Sequence, residues 1–155
     1  MSTMRPIAGV FALTATLLCS SPLLAEELTV SDVRAFGAKM DAAAQRCDVE
    51  AVISRIAELA VISGSGSAQG DMFRMNKAQY RELLTVSCAS GRQWSSVRTN
   101  EKISVEGDQA IVTADVAETI TLDGQQATSN VRERATVELI DGKLMLTQLQ
   151  VNLVN

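Results

Sequence analysis

From residue 95 onward, apolar and polar side chains alternate, the pattern of strands with one covered face. Three turn-forming pairs cut this region: Gly107-Asp108, Asp123-Gly124 and Asp141-Gly142. They predict a four-stranded antiparallel meander from Ser95 to Asn155. Turn length fixes register, and the apolar pattern tests it. A two-residue turn at Asp123-Gly124 pairs Ile120 with Ala127, Val116 with Val131 and Val112 with Ala135, whereas a longer loop sets Val112 against Arg134. A two-residue turn at Gly107-Asp108 pairs Val105 with Ala110 and Ile103 with Val112. At Asp141-Gly142 the pattern favours a three-residue, bulge-type loop with Gly142 left-handed. It matches Val137 with Met145 and Val131 with Val151, where a two-residue turn gives Ala135 against Gln148.

These registers give the sheet two unlike faces. Val97, Ile103, Val105, Val112, Val116, Ile120, Val131, Val137, Leu139, Met145, Leu149, Val151 and Leu153 form the apolar one. Arg98, Lys102, Thr113, Asp115, Arg132, Arg134 and Glu138 form the polar one, where Asp115 and Arg132 stand opposite each other as a surface ion pair with Asn100 beyond. Ile140, Leu144 and Leu146 interrupt the polar face, a candidate patch for a second copy of the chain.

Upstream the period lengthens to that of helices. Thr29 or Ser31 can cap a helix reaching about Arg46, with Val33, Phe36, Met40, Ala43 and Cys47 on one stripe. Asp48 can cap a second, carrying Val49, Val52, Ile53, Ile56 and Leu59. Ala60 to Ser63 and Met72 to Met75 read as short strands, separated by the breaker Gly64-Ser65-Gly66-Ser67. Those glycines make no phosphate loop, because no Lys-Ser/Thr follows them. Asn76 caps a third helix, with Gln79 at the capping-box position and Tyr80, Leu83, Leu84 and Cys88 facing inward. Trp94 leads into the meander.

The first 25 residues read differently: Arg5, an apolar run from Ile7 to Leu18 too short to span a bilayer, then small residues up to Ala25. We expect a signal peptide cut after Ala25. Lipidation at Cys19 is disfavoured, because Leu18 stands where a small residue is expected. Residues 26–155 are then one domain, periplasmic or secreted, with no membrane span of its own. Cleavage removes one charged residue, Arg5, and moves the net charge from −4 to −5. An acidic domain whose aromatics are Phe36, Phe73, Tyr80 and Trp94 has no electrostatic footprint for nucleic acid. Cys47 and Cys88 remain. An even pair in an oxidising compartment suggests a disulfide; two buried thiols are the alternative. With no histidine and only these cysteines, no metal site or cofactor is expected.

The element order resembles the nuclear transport factor 2-like superfamily, which includes ketosteroid isomerase-like and polyketide cyclase-like proteins. The resemblance rests on Asp48-Val49-Glu50-Ala51-Val52, on Ala60-Val61-Ile62, on the helix from Lys77 to Leu84, and on Glu138-Leu139-Ile140-Asp141-Gly142-Lys143-Leu144. It spans nearly all of residues 26–155. It implies an α+β cystatin-like cone: three N-terminal helices packed on one face of a curved antiparallel sheet, a pocket at the open end, and dimerisation through the sheet. The superfamily's isomerases combine a carboxylate base with tyrosine and protonated carboxyl donors. That set does not map here. Tyr80 is the only tyrosine, and it lies on a different helix from the one that supplies theirs.

Three carboxylates interrupt the apolar face. In the expected register Glu101 and Glu133 flank Ala114, about 9–10 Å apart across two strand spacings, with Glu118 close by. A carboxylate on a covered apolar face is costly unless paired or solvated, so Glu101, Glu118 and Glu133 are candidate pocket groups, and one of them a candidate base. Ala114 would leave room for a ligand; Tyr80 and Trp94 are candidate ligand contacts. Three functions follow: a non-catalytic domain binding a small apolar ligand or a protein partner; a cofactor-independent isomerase, cyclase or dehydratase using one of the glutamates; or a dimeric structural subunit of an envelope complex.

Overall fold

The structure, a computed structural model, describes residues 27–66 and 71–154. The expected signal peptide, its cleavage site and Ser67 lie outside them. Thr29 caps α1 (Val30–Gln45), its side chain accepting from the Asp32 amide while Asp32 accepts from the Thr29 amide. Asp48 caps α2 (Val49–Ile53), and Asn76 with Gln79 caps α3 (Lys77–Ala89) as expected.

The second helix is one turn long where the sequence suggests three. Ile56 already pairs with the last strand, and the Leu146 amide donates to the Arg55 carbonyl at 2.9 Å. Ile56 is fully buried but Leu59 is 92% exposed, so the apolar run is a strand whose spacing imitates a helix. That strand, β1 (Ile56–Ser65), runs through Gly64 and Ser65 rather than stopping at them. A Cβ on Gly64 would lie 1.7 Å from the Val151 carbonyl oxygen, so glycine permits this close backbone approach.

β2 (Met72–Met75), β3 (Gln93–Glu106), β4 (Gln109–Leu122), β5 (Gln125–Ile140) and β6 (Lys143–Leu153) complete a six-stranded sheet in the order β2-β1-β6-β5-β4-β3. It is mixed, because β1 runs parallel to β6 and all other pairs are antiparallel. The expected antiparallel meander is thus four strands of a larger sheet.

Two of the three turns have the expected register. The third differs. Ile140 pairs with Lys143, a two-residue turn with Asp141 and Gly142 both at positive φ (50° and 74°). A bulge in β6 between Leu146 and Gln148 then restores the apolar phase, pairing Ala135 with Leu149 and Val131 with Leu153. The extra residue sits inside the strand, where turn length cannot reveal it. Leu146 is consequently buried and Leu144 packs against the core, so the apolar patch expected on the polar face does not exist there.

A second bulge lies in β3. Thr99 pairs with Asp115 and Lys102 with Thr113, leaving Asn100 and Glu101 together against Ala114. Asn100 takes the positive φ this needs (53°), which asparagine tolerates better than most residues. The bulge reverses the alternation before it. Val97, expected inside, is 63% exposed, and Arg98, expected outside, turns in.

The helices cover the apolar face. Val33 and Phe36 of α1 pack with Ala110 and Val137, while Ala43, Val52, Ile53 and Leu84 pack with Ile56, Ala60, Ala135 and Leu146. Cys47, just after α1, is bonded to Cys88 of α3, with Cα atoms 5.7 Å apart.

Candidate functional site

Helices and sheet do not meet everywhere. Between them is a cavity of about 390 Å³, within the range of small-molecule sites. α1 supplies Val33, Phe36, Met40 and Asp41; α3 supplies Tyr80 and Leu84; the sheet supplies Trp94, Arg98, Val112, Val116, Glu118, Glu133, Leu149 and Val151. The lining is largely apolar, and its charged groups come from α1 and the sheet.

The three glutamates all border this cavity, in different states. Glu101, in the β3 bulge, pairs at 3.1 Å with Arg34 of α1, whose side chain is largely exposed, so it is a rim residue. Glu133 accepts from Arg98 Nη1 at 2.6 Å. Glu118 has no hydrogen-bond or ion-pair partner among the described residues. Burial pushes its carboxyl pKa up; Glu133 adds to the rise, Arg98 opposes it, and Asp41 adds a little more.

The bulge explains the arrangement. By reversing Arg98 it places a guanidinium inside the cone, where Asp41 takes two bonds: Nε to Oδ2 and Nη2 to Oδ1, both 2.9 Å. With Nη1 on Glu133, one arginine of β3 reaches across β4 to join β5 to α1. Asp41, followed by Glu133, stabilises the charged guanidinium, and burial works against it. Sequence reasoning missed Arg98 and Asp41 as site residues. Two signals were present: Asn100 marked a place for the bulge, and Asp41 follows Met40 on the edge of the inward stripe of α1.

Tyr80 reaches the cavity from α3. Burial chiefly, then the charges of Glu133, Glu118 and Asp41, push its phenol up to about 12, so it stays protonated. It is half-buried, and its hydroxyl has no hydrogen-bond partner among the described residues. Trp94, half-buried, lines the same space. Ala114 is not among the residues that line the cavity. It is buried with Val116 and Val131, opposite the bulge that took Glu101 out of register. Asp115 pairs with Arg132 Nε at 3.1 Å and accepts from Asn100 at 2.9 Å, the surface pair expected. Asn100 and then Arg132 hold its carboxyl below the usual value. Among the described residues, no group of three or more acidic or cysteine side chains is placed to hold a metal ion, and no helix is long and apolar enough to cross a membrane.

A sheet wrapped over three helices around one such cavity is the nuclear transport factor 2-like, or cystatin-like, fold. The sequence matches no family model and no curated protein. Solved structures do match. The β subunit of benzoate 1,2-dioxygenase from Burkholderia mallei superposes with a TM-score of 0.72 at 12% identity, over 83% of this chain and 92% of that one. A nuclear transport factor 2-like protein from Cytophaga hutchinsonii gives 0.67 at 15% identity, over 82% and 100%. A provisionally named dehydratase of the nuclear transport factor 2-like family from Streptomyces avermitilis gives 0.68 at 17% identity, over 81% and 96%. At such identities the likeness establishes the fold, which hosts mixed functions.

Proposed function

We propose that this is an extracytoplasmic domain that holds a small, largely apolar molecule in its cone cavity without transforming it. The observation that carries this reading is the half-buried Tyr80, protonated and with no hydrogen-bond partner for its hydroxyl among the described residues, on a largely apolar cavity lining. Such a group anchors the polar end of a ligand whose body fills the rest. The Cys47–Cys88 bond and the leader expected in residues 1–25 support an oxidising compartment. Arg98 stabilises the wall instead of offering itself to a substrate, because Asp41 and Glu133 occupy it. Native mass spectrometry after gentle purification, followed by a thermal-shift screen of small apolar compounds, tests the reading. A retained small molecule displaced by Tyr80→Phe supports it; an empty protein that no compound stabilises sinks it.

One observation favours a second reading, a cofactor-independent isomerase or dehydratase. Glu118 is partnerless and its carboxyl is raised toward the range useful for a base. Solvent-deuterium exchange into a bound carbon acid, lost in Glu118→Gln, would select this reading over simple binding.

A further inference from the structure

The charges around the cavity do not balance, and the imbalance has an address. Arg34 is committed to Glu101 at the rim, and Arg98 to Asp41 and Glu133 inside. Both arginines bordering the cavity are thus taken, and Glu118 remains without a bonded cation. A partly buried, unpaired carboxylate costs free energy that a cation in the cavity would recover. Bordering the same cavity are Tyr80, whose phenol feels the Glu118 charge and whose unpartnered oxygen can accept a hydrogen bond, and Trp94, an aromatic ring of the kind that attracts a cation.

We propose that the cavity takes a molecule with an apolar body and a single protonated amine, the ammonium group pairing with Glu118 and accepted by Tyr80. The inference rests on the ligand-holding function above and adds the ligand's chemical class. A carboxylate ligand finds both described arginines of the lining already paired and meets Glu118 and Glu133. A neutral alcohol satisfies Tyr80 but leaves Glu118 uncompensated. Burial and the neighbouring Glu133 charge, which make Glu118 harder to ionise in the empty cavity, would be offset by the bound ammonium.

The test uses three probes on one scaffold, 4-phenylbutylamine, 4-phenylbutanol and 4-phenylbutanoate, titrated calorimetrically into the disulfide-bonded protein at neutral pH. The amine should bind about tenfold or more tighter than the alcohol, as a charge-assisted bond to a carboxylate allows, and the carboxylate should bind worst. In Glu118→Gln the ratio of amine to alcohol affinity should fall to near one. If that variant does not fold, the ranking of probes on the native chain decides. An alcohol or carboxylate bound as tightly as the amine overturns the amine assignment and leaves the apolar-ligand function standing. No binding by any of the three overturns both.

Discussion

Arg98 and Asp41 meet side-on, Nε with Oδ2 and Nη2 with Oδ1, each at 2.9 Å, and this pair spans the gap between the sheet and α1. Each side chain is only about a quarter exposed, so water screens the pair weakly. Breaking such a pair strands a desolvated charge. Asp41→Ala should cost about 2 kcal/mol, less than a stranded charge would, because Arg98 loses two charge-assisted bonds but keeps Glu133. Arg98→Met should cost more, since it strands Asp41 and Glu133 together near Glu118. Urea denaturation of both variants measures the order; a smaller loss for Arg98→Met would mean that Glu133 finds another partner.

The disulfide ties the end of α1 to α3, the two helices that carry Asp41 and Tyr80 to the cavity. Its partners are 41 residues apart, and closing a loop of that length stabilises by about 4 kcal/mol in the chain-entropy account. The Cys47→Ser, Cys88→Ser double variant should show that loss in denaturant unfolding. Thiol labelling of the denatured, unreduced protein should find neither cysteine free.

How much of this was legible follows from where information sits in a strand. Turn residues are local, so Asp123-Gly124 and Gly107-Asp108 announced their registers, and the caps Asn76 and Asp48 announced their helices. A bulge inside a strand is not local. It changes which side chains face inward without altering composition, so Arg98 and Val97 exchanged faces and Leu146 turned in. The three glutamates were found because a carboxylate on an apolar face is conspicuous in any register. Arg98 and Asp41 were missed because each looked ordinary until the other was beside it. The parallel pairing of β1 with β6 joins residues some ninety positions apart, and no turn announces it.

Gly64 and Gly37 make opposite predictions from the same substitution. In β1, a methyl at Gly64 would overlap the Val151 carbonyl, and backbone cannot step aside as a side chain can. Gly64→Ala should cost about 3 kcal/mol or more, by forcing β1 away from β6. Gly37 lies within α1 with nothing inside 4 Å of an added Cβ. Gly37→Ala should therefore stabilise by about 0.5–1 kcal/mol through helix propensity and a less flexible unfolded chain. Thermal unfolding of the two single variants suffices, and a destabilised Gly37→Ala would show that α1 needs glycine where it borders the cavity.

Glu118 gives the pH dependence its sign. Its folded pKa lies above its ordinary value of 4.5, so the folded state holds the proton more tightly than the unfolded chain does. Stability from this group is therefore greatest below the ordinary value and falls as pH rises through the raised one. Burial is the chief cause of the shift; Glu133 adds to it, Arg98 opposes it and Asp41 adds a little more, while the neighbouring Tyr80 stays protonated. Glu118→Gln removes the penalty. The variant should be more stable than the parent near neutral pH, and the advantage should shrink as pH falls below the ordinary carboxylate range. Arg98→Met should move the Glu118 midpoint further up, because it deletes the one opposing charge. Carbon-detected NMR titration of the Glu118 carboxyl reads both effects directly. A midpoint at the ordinary value in the parent, unmoved by Arg98→Met, would mean that water reaches Glu118 freely and that the cavity is open where the structure closes it.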